Sequence, residues 1–313
     1  MKRVLALLRS PAIRWCFLAV ALAFAAWYVW RNAEEIGQAL ARMNPWLVVG
    51  ALGLSILYVL ATLEAWRQVL HDLGHRVRFR PAVALFGVSQ LGKYIPGGVW
   101  NIAAAAELGT AHRIPRRHSV AAMTIALLVS IVSGITVGTL GFLFSPAPLF
   151  AQWGWVLWVG VPLVVALIPP VMNRLVALAG RLARVAPMET AISTRGMGPV
   201  IFWSVIGWIL AGGQVALLSI GLGAHASWLA LAQCIGGYAL AWTAGFLVVV
   251  TPAGAGIREL VLAACLLGTV NDGTVVAIVL LSRALFTLVD LGLAGVGAID
   301  LRIVERQKRP SAD

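Results

Sequence analysis

An all-α polytopic membrane protein is the fold class this sequence predicts, and three observations carry it. Apolar residues make up 60% of the 313 positions, charged residues only 12%, and the mean hydropathy is +0.90. A water-soluble chain has about 45–50% apolar and about 25% charged residues, so this one lacks the polar surface to cover itself in water. The apolar residues run in stretches of membrane-crossing length, and the basic residues fall between them. No sizeable soluble catalytic domain fits among them. The net charge of +12 belongs with anionic lipid heads and the orientation of spans, not with nucleic acid.

A helix crossing about 30 Å of hydrocarbon needs roughly 20 apolar residues. Six stretches meet this: Pro11–Trp30, Trp46–Trp66, Ser119–Phe144, Trp153–Val171, Pro199–Leu222 and Gly273–Ile299. Lys2, Arg3, Arg9 and Arg14 precede the first in the manner of a signal peptide, but Trp27, Tyr28 and Trp30 at its far edge read as an interfacial belt. An uncleaved anchor is expected.

Two other apolar stretches are interrupted. Ala82–Ile95 is followed by Pro96-Gly97-Gly98 and then Val99–Leu108; Gly236–Val250 is followed by Thr251–Gly256 and then Ile257–Leu267. Proline removes a donor and glycine permits positive φ, so both sites break a helix. About 14 residues of helix reach only roughly 21 Å. Two re-entrant hairpins, with tips at 96–98 and 251–256, are the expected form, since broken backbone at membrane depth survives only under protein or water.

The basic residues fit that layout. With both termini cytoplasmic, nineteen of the 24 Lys and Arg fall in cytoplasmic segments, Arg31 and Arg42 fall outside, and Lys93, Arg258 and Arg283 remain within the membrane. This is the positive-inside distribution. Span, span, broken hairpin, span then occurs twice in opposite orientation, in residues 1–150 and again in 151–313, the latter ending in a short basic tail. Inverted repeats whose discontinuous helices meet near the midplane are a transporter architecture.

Ionisable side chains at membrane depth are costly and mark functional sites. Those here are Glu64, Lys93, Glu107, Arg258, Glu259, Arg283 and Asp290. Glu64 lies three residues before Arg67, which suggests a surface pair. Lys93 precedes the first break, Arg258-Glu259 follow the second, and Arg283 and Asp290 share one face of the last span. The half-helices starting after each break point partial positive charge at the same region. The candidate substrate-binding set is Lys93, Tyr94, Pro96, Gly97 and Gly98 with Pro252, Gly254, Gly256, Arg258, Glu259, Arg283 and Asp290, with Glu107 as a further candidate counter-charge. Together they would suit an anion, above all a phosphate. No catalytic residue, cofactor or metal is expected: Cys16, Cys234 and Cys265 lie in apolar runs, and His71 and His75 lack a nearby third ligand.

The stretches Gly92-Lys93-Tyr94-Ile95-Pro96-Gly97-Gly98-Val99-Trp100 and Thr251-Pro252-Ala253-Gly254-Ala255-Gly256-Ile257-Arg258-Glu259 resemble the transmembrane region of bacterial lysylphosphatidylglycerol synthetase/flippase proteins and their stand-alone relatives. Arg283 and Asp290 match that family's Arg-x6-Asp pattern. The resemblance spans roughly Pro11 to Ile299. It departs at Ala253, where the family form Pro-Gly-Gly-x-Gly-x-x-Glu has glycine. It implies the lipid-translocating half alone, in a bacterial inner membrane, because no aminoacyl-transfer domain follows in these residues.

The expected function is translocation of an anionic lipid or a polyprenyl-phosphate-linked sugar, its head group held between the two broken-helix tips. An enzyme that makes or uses that lipid is a candidate partner. The alternative is a membrane glycosyltransferase dependent on a polyprenyl-phosphate sugar and using Glu34 and Glu35, which sit where such enzymes often carry an acidic pair.

Overall fold

A computed structural model describes residues 27, 30–31, 33–95, 99–142, 165–182, 192–247, 254–267, 270 and 272–308. The described residues are helical throughout, apart from short connections and one isolated bridge between Leu267 and Val270. In chain order the helices are α1 (Ala33–Arg42), α2 (Pro45–Asp72), α3 (Phe79–Gln90), α4 (Trp100–Thr110), α5 (Arg116–Phe142) and α6 (Pro169–Leu182). They continue with α7 (Thr194–Gly221), α8 (Trp228–Leu247), α9 (Ile257–Leu266) and α10 (Asp272–Lys308). Five are long and apolar enough to cross a membrane: α2, α5, α7, α8 and the Gly273–Asp300 part of α10. Ile56, Leu57, Phe202, Ile209 and Leu288 stand exposed on these spans, where lipid replaces water as the solvent.

The expected first span, Pro11–Trp30, lies almost wholly outside the described residues, as does the expected fourth up to residue 164. The apolar run expected to begin at Gly236 begins earlier. α8 starts at Trp228 and is 20 residues long, about 30 Å, enough to cross by itself. Two close contacts explain the difference. The Gln233 amide donates to the Cys265 carbonyl at 2.7 Å, satisfying an orphan acceptor at the end of α9. Gly236 is small because α5 needs it so: a Cβ there would lie 2.7 Å from the Gly141 Cα.

The long helices carry their own start and stop signals. At α2, Asn44 Oδ1 accepts the Trp46 N–H at 3.0 Å and Pro45 occupies the first turn. Its end is a Schellman motif: Gly74, at φ 87°, donates to the His71 carbonyl and His75 donates to that of Leu70. α7 repeats this scheme. Ser193 Oγ accepts the Gly196 N–H, and Gly223, at φ 100°, closes the far end with Ala224 donating to the Ser219 carbonyl.

Packing follows a consistent pairing. α2 lies along α7, α3 along α10, and α5 along α8. The last two contacts are made by small residues. Gly134, Gly138 and Gly141 of α5 face Thr243, Leu240 and Gly236 of α8, while Gly87 of α3 meets the Leu293 backbone and Gly297 of α10 meets Ala84. Small residues let helix backbones approach closely where lipid removes the hydrophobic drive to associate.

Polar contacts gather at one end of the bundle. Asp72, at the close of α2, accepts from the Ser193 N–H at 2.7 Å and from its hydroxyl at 2.6 Å. His75 and His118 share a 2.5 Å ring-nitrogen contact, Arg80 pairs with Asp300 at 2.6 Å, and Glu64 pairs with Arg67 at 3.1 Å. Arg76, Arg78 and Arg113 lie in the connections there, and Arg117 and Arg195 in the first turns of α5 and α7. The opposite end, where Met43 packs under Gly221, carries Arg42.

Candidate functional site

The site forms where the two interrupted helix pairs meet the middle of α10. After Gln90 the chain tightens into a 3-10 turn, Leu91–Tyr94, and Gly92 lies against the start of α4. A Cβ on Gly92 would fall 2.3 Å from the Asn101 nitrogen, so only glycine permits this closure. The second pair closes in the same way: Gly245 of α8 lies against Gly254, whose φ of 70° also demands glycine.

The turn projects Lys93 and Tyr94 at α10. Lys93 Nζ lies 2.6 Å from Asp290 Oδ2, and the Tyr94 hydroxyl donates to the same oxygen at 2.7 Å. Asp290 is 2% exposed at its side chain, whereas Lys93 keeps 32% of its own open toward the cavity. Such a carboxylate is held by charge-assisted bonds in a medium without water to replace them.

From the other side, α9 opens with Gly256 at φ 88°. Glu259 Oε2 accepts the Gly256 N–H at 2.6 Å, and Glu259 Oε1 pairs with Arg283 of α10. One carboxylate therefore neutralises both the start of α9 and a buried guanidinium. Arg258 is seated differently. It donates to the Tyr238 hydroxyl at 2.6 Å and stacks over the rings of Tyr238 and Phe286, at 4.9 and 5.5 Å. Among the described residues no carboxylate lies within salt-bridge distance of it.

These groups line a cavity of about 140 Å³. Lys93, Arg258, Arg283 and Asp290 supply its charges, and Tyr58, Trp208, Trp242 and Phe286 supply an aromatic wall. That wall is continuous, with Tyr58 edge-on to Phe286 at 5.0 Å and Trp242 stacked on Phe246 at 5.4 Å. Gln90, Asn101 and Ser130 are among its uncharged polar groups, with Thr62, Ser204 and Thr287.

The structure thus brings together Lys93, Tyr94, Gly254, Arg258, Glu259, Arg283 and Asp290, with Gly256 as the cap of α9. Pro96, Gly97, Gly98 and Pro252 lie outside the described residues. Glu107 is a correction. Its carboxylate pairs with Arg116, at 2.9 Å, across the elbow between α4 and α5, and it does not line the cavity. It locks that elbow instead of offsetting the cations at the cavity. Glu34 is exposed on α1, accepting from Gln38, away from the cavity. No metal-binding cluster of three His, Cys, Asp or Glu occurs among the described residues.

Sequence reasoning missed the aromatic half of the site. Phe286 and Thr287 lie three and four residues after Arg283, on the face that also bears Asp290. Tyr238, Trp242 and Phe246 repeat at i, i+4, i+8 along α8. Both patterns were open to inspection, but they read as ordinary core stripes without a charge to mark them.

A search among curated proteins gives no match. The family model described as the lysylphosphatidylglycerol synthase TM region matches residues 16–294, and it takes in both interrupted helix pairs and the whole cavity. The chain belongs to the lysylphosphatidylglycerol synthase transmembrane-region family.

Proposed function

We propose that this protein moves a lipid with an anionic head group between the leaflets of a bacterial inner membrane, sheltering the head in the α10 cavity while the tails stay in lipid. The observation that carries this is Arg258. Lys93 and Arg283 each have a carboxylate partner, Asp290 and Glu259, whereas the Arg258 guanidinium rests on two aromatic rings and a hydroxyl. The cavity therefore holds one positive charge that an incoming phosphate can meet without displacing an internal partner. Family membership supports a lipid-related role in the membrane.

Several contacts favour the inverted-repeat reading. Exchanging α2 with α7, α3 with α8, α4 with α9 and α5 with α10 turns the α3–α10 contact into the α8–α5 contact and leaves α2–α7 as it is. Both members of the first pair end in a Schellman glycine, and both interrupted pairs close on a glycine near the break. The 2.5 Å contact between His75 and His118 brings the chain before α3 to the chain after α4, which supports a hairpin that returns to its own side. The clustering of arginines at that end favours a cytoplasmic placement for it.

The test is reconstitution. Vesicles containing fluorescent phosphatidylglycerol, with and without purified protein, are treated with a membrane-impermeant quencher. Translocation makes the inner-leaflet label reachable only in the protein-containing vesicles, and Arg258→Gln abolishes the effect. Label that remains protected in the presence of folded protein would remove the lipid-moving reading.

A further inference from the structure

The same cavity also specifies what kind of head group it takes, an inference that rests on the translocation reading and deepens it. The one carboxylate in its lining, Asp290, is spent, and so is Glu259, which pairs with Arg283 just outside the lining. Asp290 is held by Lys93 and the Tyr94 hydroxyl, and Glu259 is held by Arg283 and the Gly256 N–H. The aromatic faces that could otherwise cradle an ammonium group are in part occupied, because Arg258 already lies over Tyr238 and Phe286. An amino or aminoacyl head would bring a positive charge into this space and find no anion to receive it.

Neutral polar groups in the lining are also open to a ligand. The Gln90 amide and the Ser130 hydroxyl line the cavity without a hydrogen-bond partner among the described residues, and Asn101 uses only its Oδ1, on the Ile102 N–H. Amides and hydroxyls, which both donate and accept, suit a polyhydroxyl group. Trp208 and Trp242 offer flat apolar faces on the other wall. With Glu259 counted as the partner of Arg283 outside the lining, three cations stand against two carboxylates, a surplus of one.

We infer that the substrate is a phosphodiester monoanion whose head is uncharged and rich in hydroxyls, and that amine-bearing heads are excluded. Phosphatidylglycerol and a polyprenyl-monophosphate hexose both meet that description. Lysyl-phosphatidylglycerol and phosphatidylethanolamine do not.

Native mass spectrometry of the purified protein in detergent, offered each of the four lipids in turn, tests this. Retention of phosphatidylglycerol, the hexose lipid or both should exceed that of the two amine lipids by at least about tenfold, the effect of one uncompensated charge at the lower end. The stronger of the first two tells whether glycerol or sugar is the natural head. Equal retention of the amine lipids overturns the head-group inference while leaving translocation standing. Retention of none of the four overturns the translocation reading itself. Gln90→Glu supplies the missing carboxylate in the lining and should raise phosphatidylethanolamine retention several-fold. Since misfolding cannot create new binding, a folded Gln90→Glu variant without that gain also counts against the inference.

Discussion

Tyr94 and Asp290 share a 2.7 Å hydrogen bond although 196 positions separate them in the chain. Lys93, one residue earlier, adds a salt bridge to the same carboxylate oxygen. The first interrupted helix pair is thereby fixed to the centre of α10, whose other turn is held by Glu259 from the second pair.

Removing Asp290 should loosen the first attachment. Asp290→Asn leaves Lys93 without a carboxylate; breaking a fully buried pair costs about 3–5 kcal/mol, and the partial exposure of Lys93 places this one at or below the lower end. Thermal unfolding in detergent should show the loss. The double variant with Lys93→Met should recover part of it, because the uncompensated cation is then gone.

Arg258 and Arg283 should separate cleanly in the same measurements. Arg258→Gln should abolish lipid movement while leaving the melting temperature near wild type, since no carboxylate is orphaned by it. Arg283→Gln strands Glu259 and should lower stability and folded yield together. Arg258→Lys, which keeps charge but not the flat stacking on Tyr238 and Phe286, should retain only part of the activity.

The two glycines before α9 make a graded prediction. Gly256→Ala meets open space and suffers only from its backbone, φ 88° and ψ −55°, about 1–3 kcal/mol. Gly254→Ala adds a contact 2.7 Å from the Gly245 Cα to a similar strain, so its loss of stability should be clearly the larger. Equal melting temperatures for the two would contradict the close approach of α8 to this turn.

The helix contacts predict matched damage. Gly141→Val on α5 would drive side-chain atoms into Gly236, and Gly87→Val on α3 would drive them into the Leu293 backbone. Overpacking of this kind costs about 1–3 kcal/mol or more. Both variants should show a reduced monodisperse peak in size-exclusion chromatography, whereas Gly53→Val, with nothing within 4 Å, should not.

Orientation is open to a labelling test. Single cysteines in 223–227 should react with an impermeant thiol reagent added to intact cells, and single cysteines at positions 76 or 78 should not. Reaction at 76 from outside would reverse the assignment of the arginine-rich end.

Much of this was legible in the sequence, for reasons that differ by residue. Arg283 and Asp290 stood out because charge inside an apolar run is rare and because seven residues return a helix to the same face. The interruptions between Tyr94 and Trp100 and between Leu247 and Ile257 were announced by the proline and glycine in the sequence between them. Glu107 misled because its partner, Arg116, lies nine residues on and across a bend that periodicity does not reveal. The early start of α8 was hidden because Gln233 looks like the end of an apolar run until its acceptor, the Cys265 carbonyl, is placed beside it. The aromatic seat of Arg258 draws on α8 and α10 at once, so local sequence does not disclose it.

Under the proposed translocation, the spacing of charges along α10 sets a length scale for transit. The membrane-crossing part runs from Gly273 to Asp300, with Arg283 ten residues from one end and Asp290 ten from the other. At 1.5 Å per residue, an axial path of about 40 Å is divided into steps of about 15, 10 and 15 Å. A charged group travelling beside this helix passes polar ground twice near the centre of the bilayer, where the energetic barrier of plain hydrocarbon would be highest. In that proposed transit, the phosphate meets a cation at each level, Arg283 at the first and Lys93, paired with Asp290, at the second.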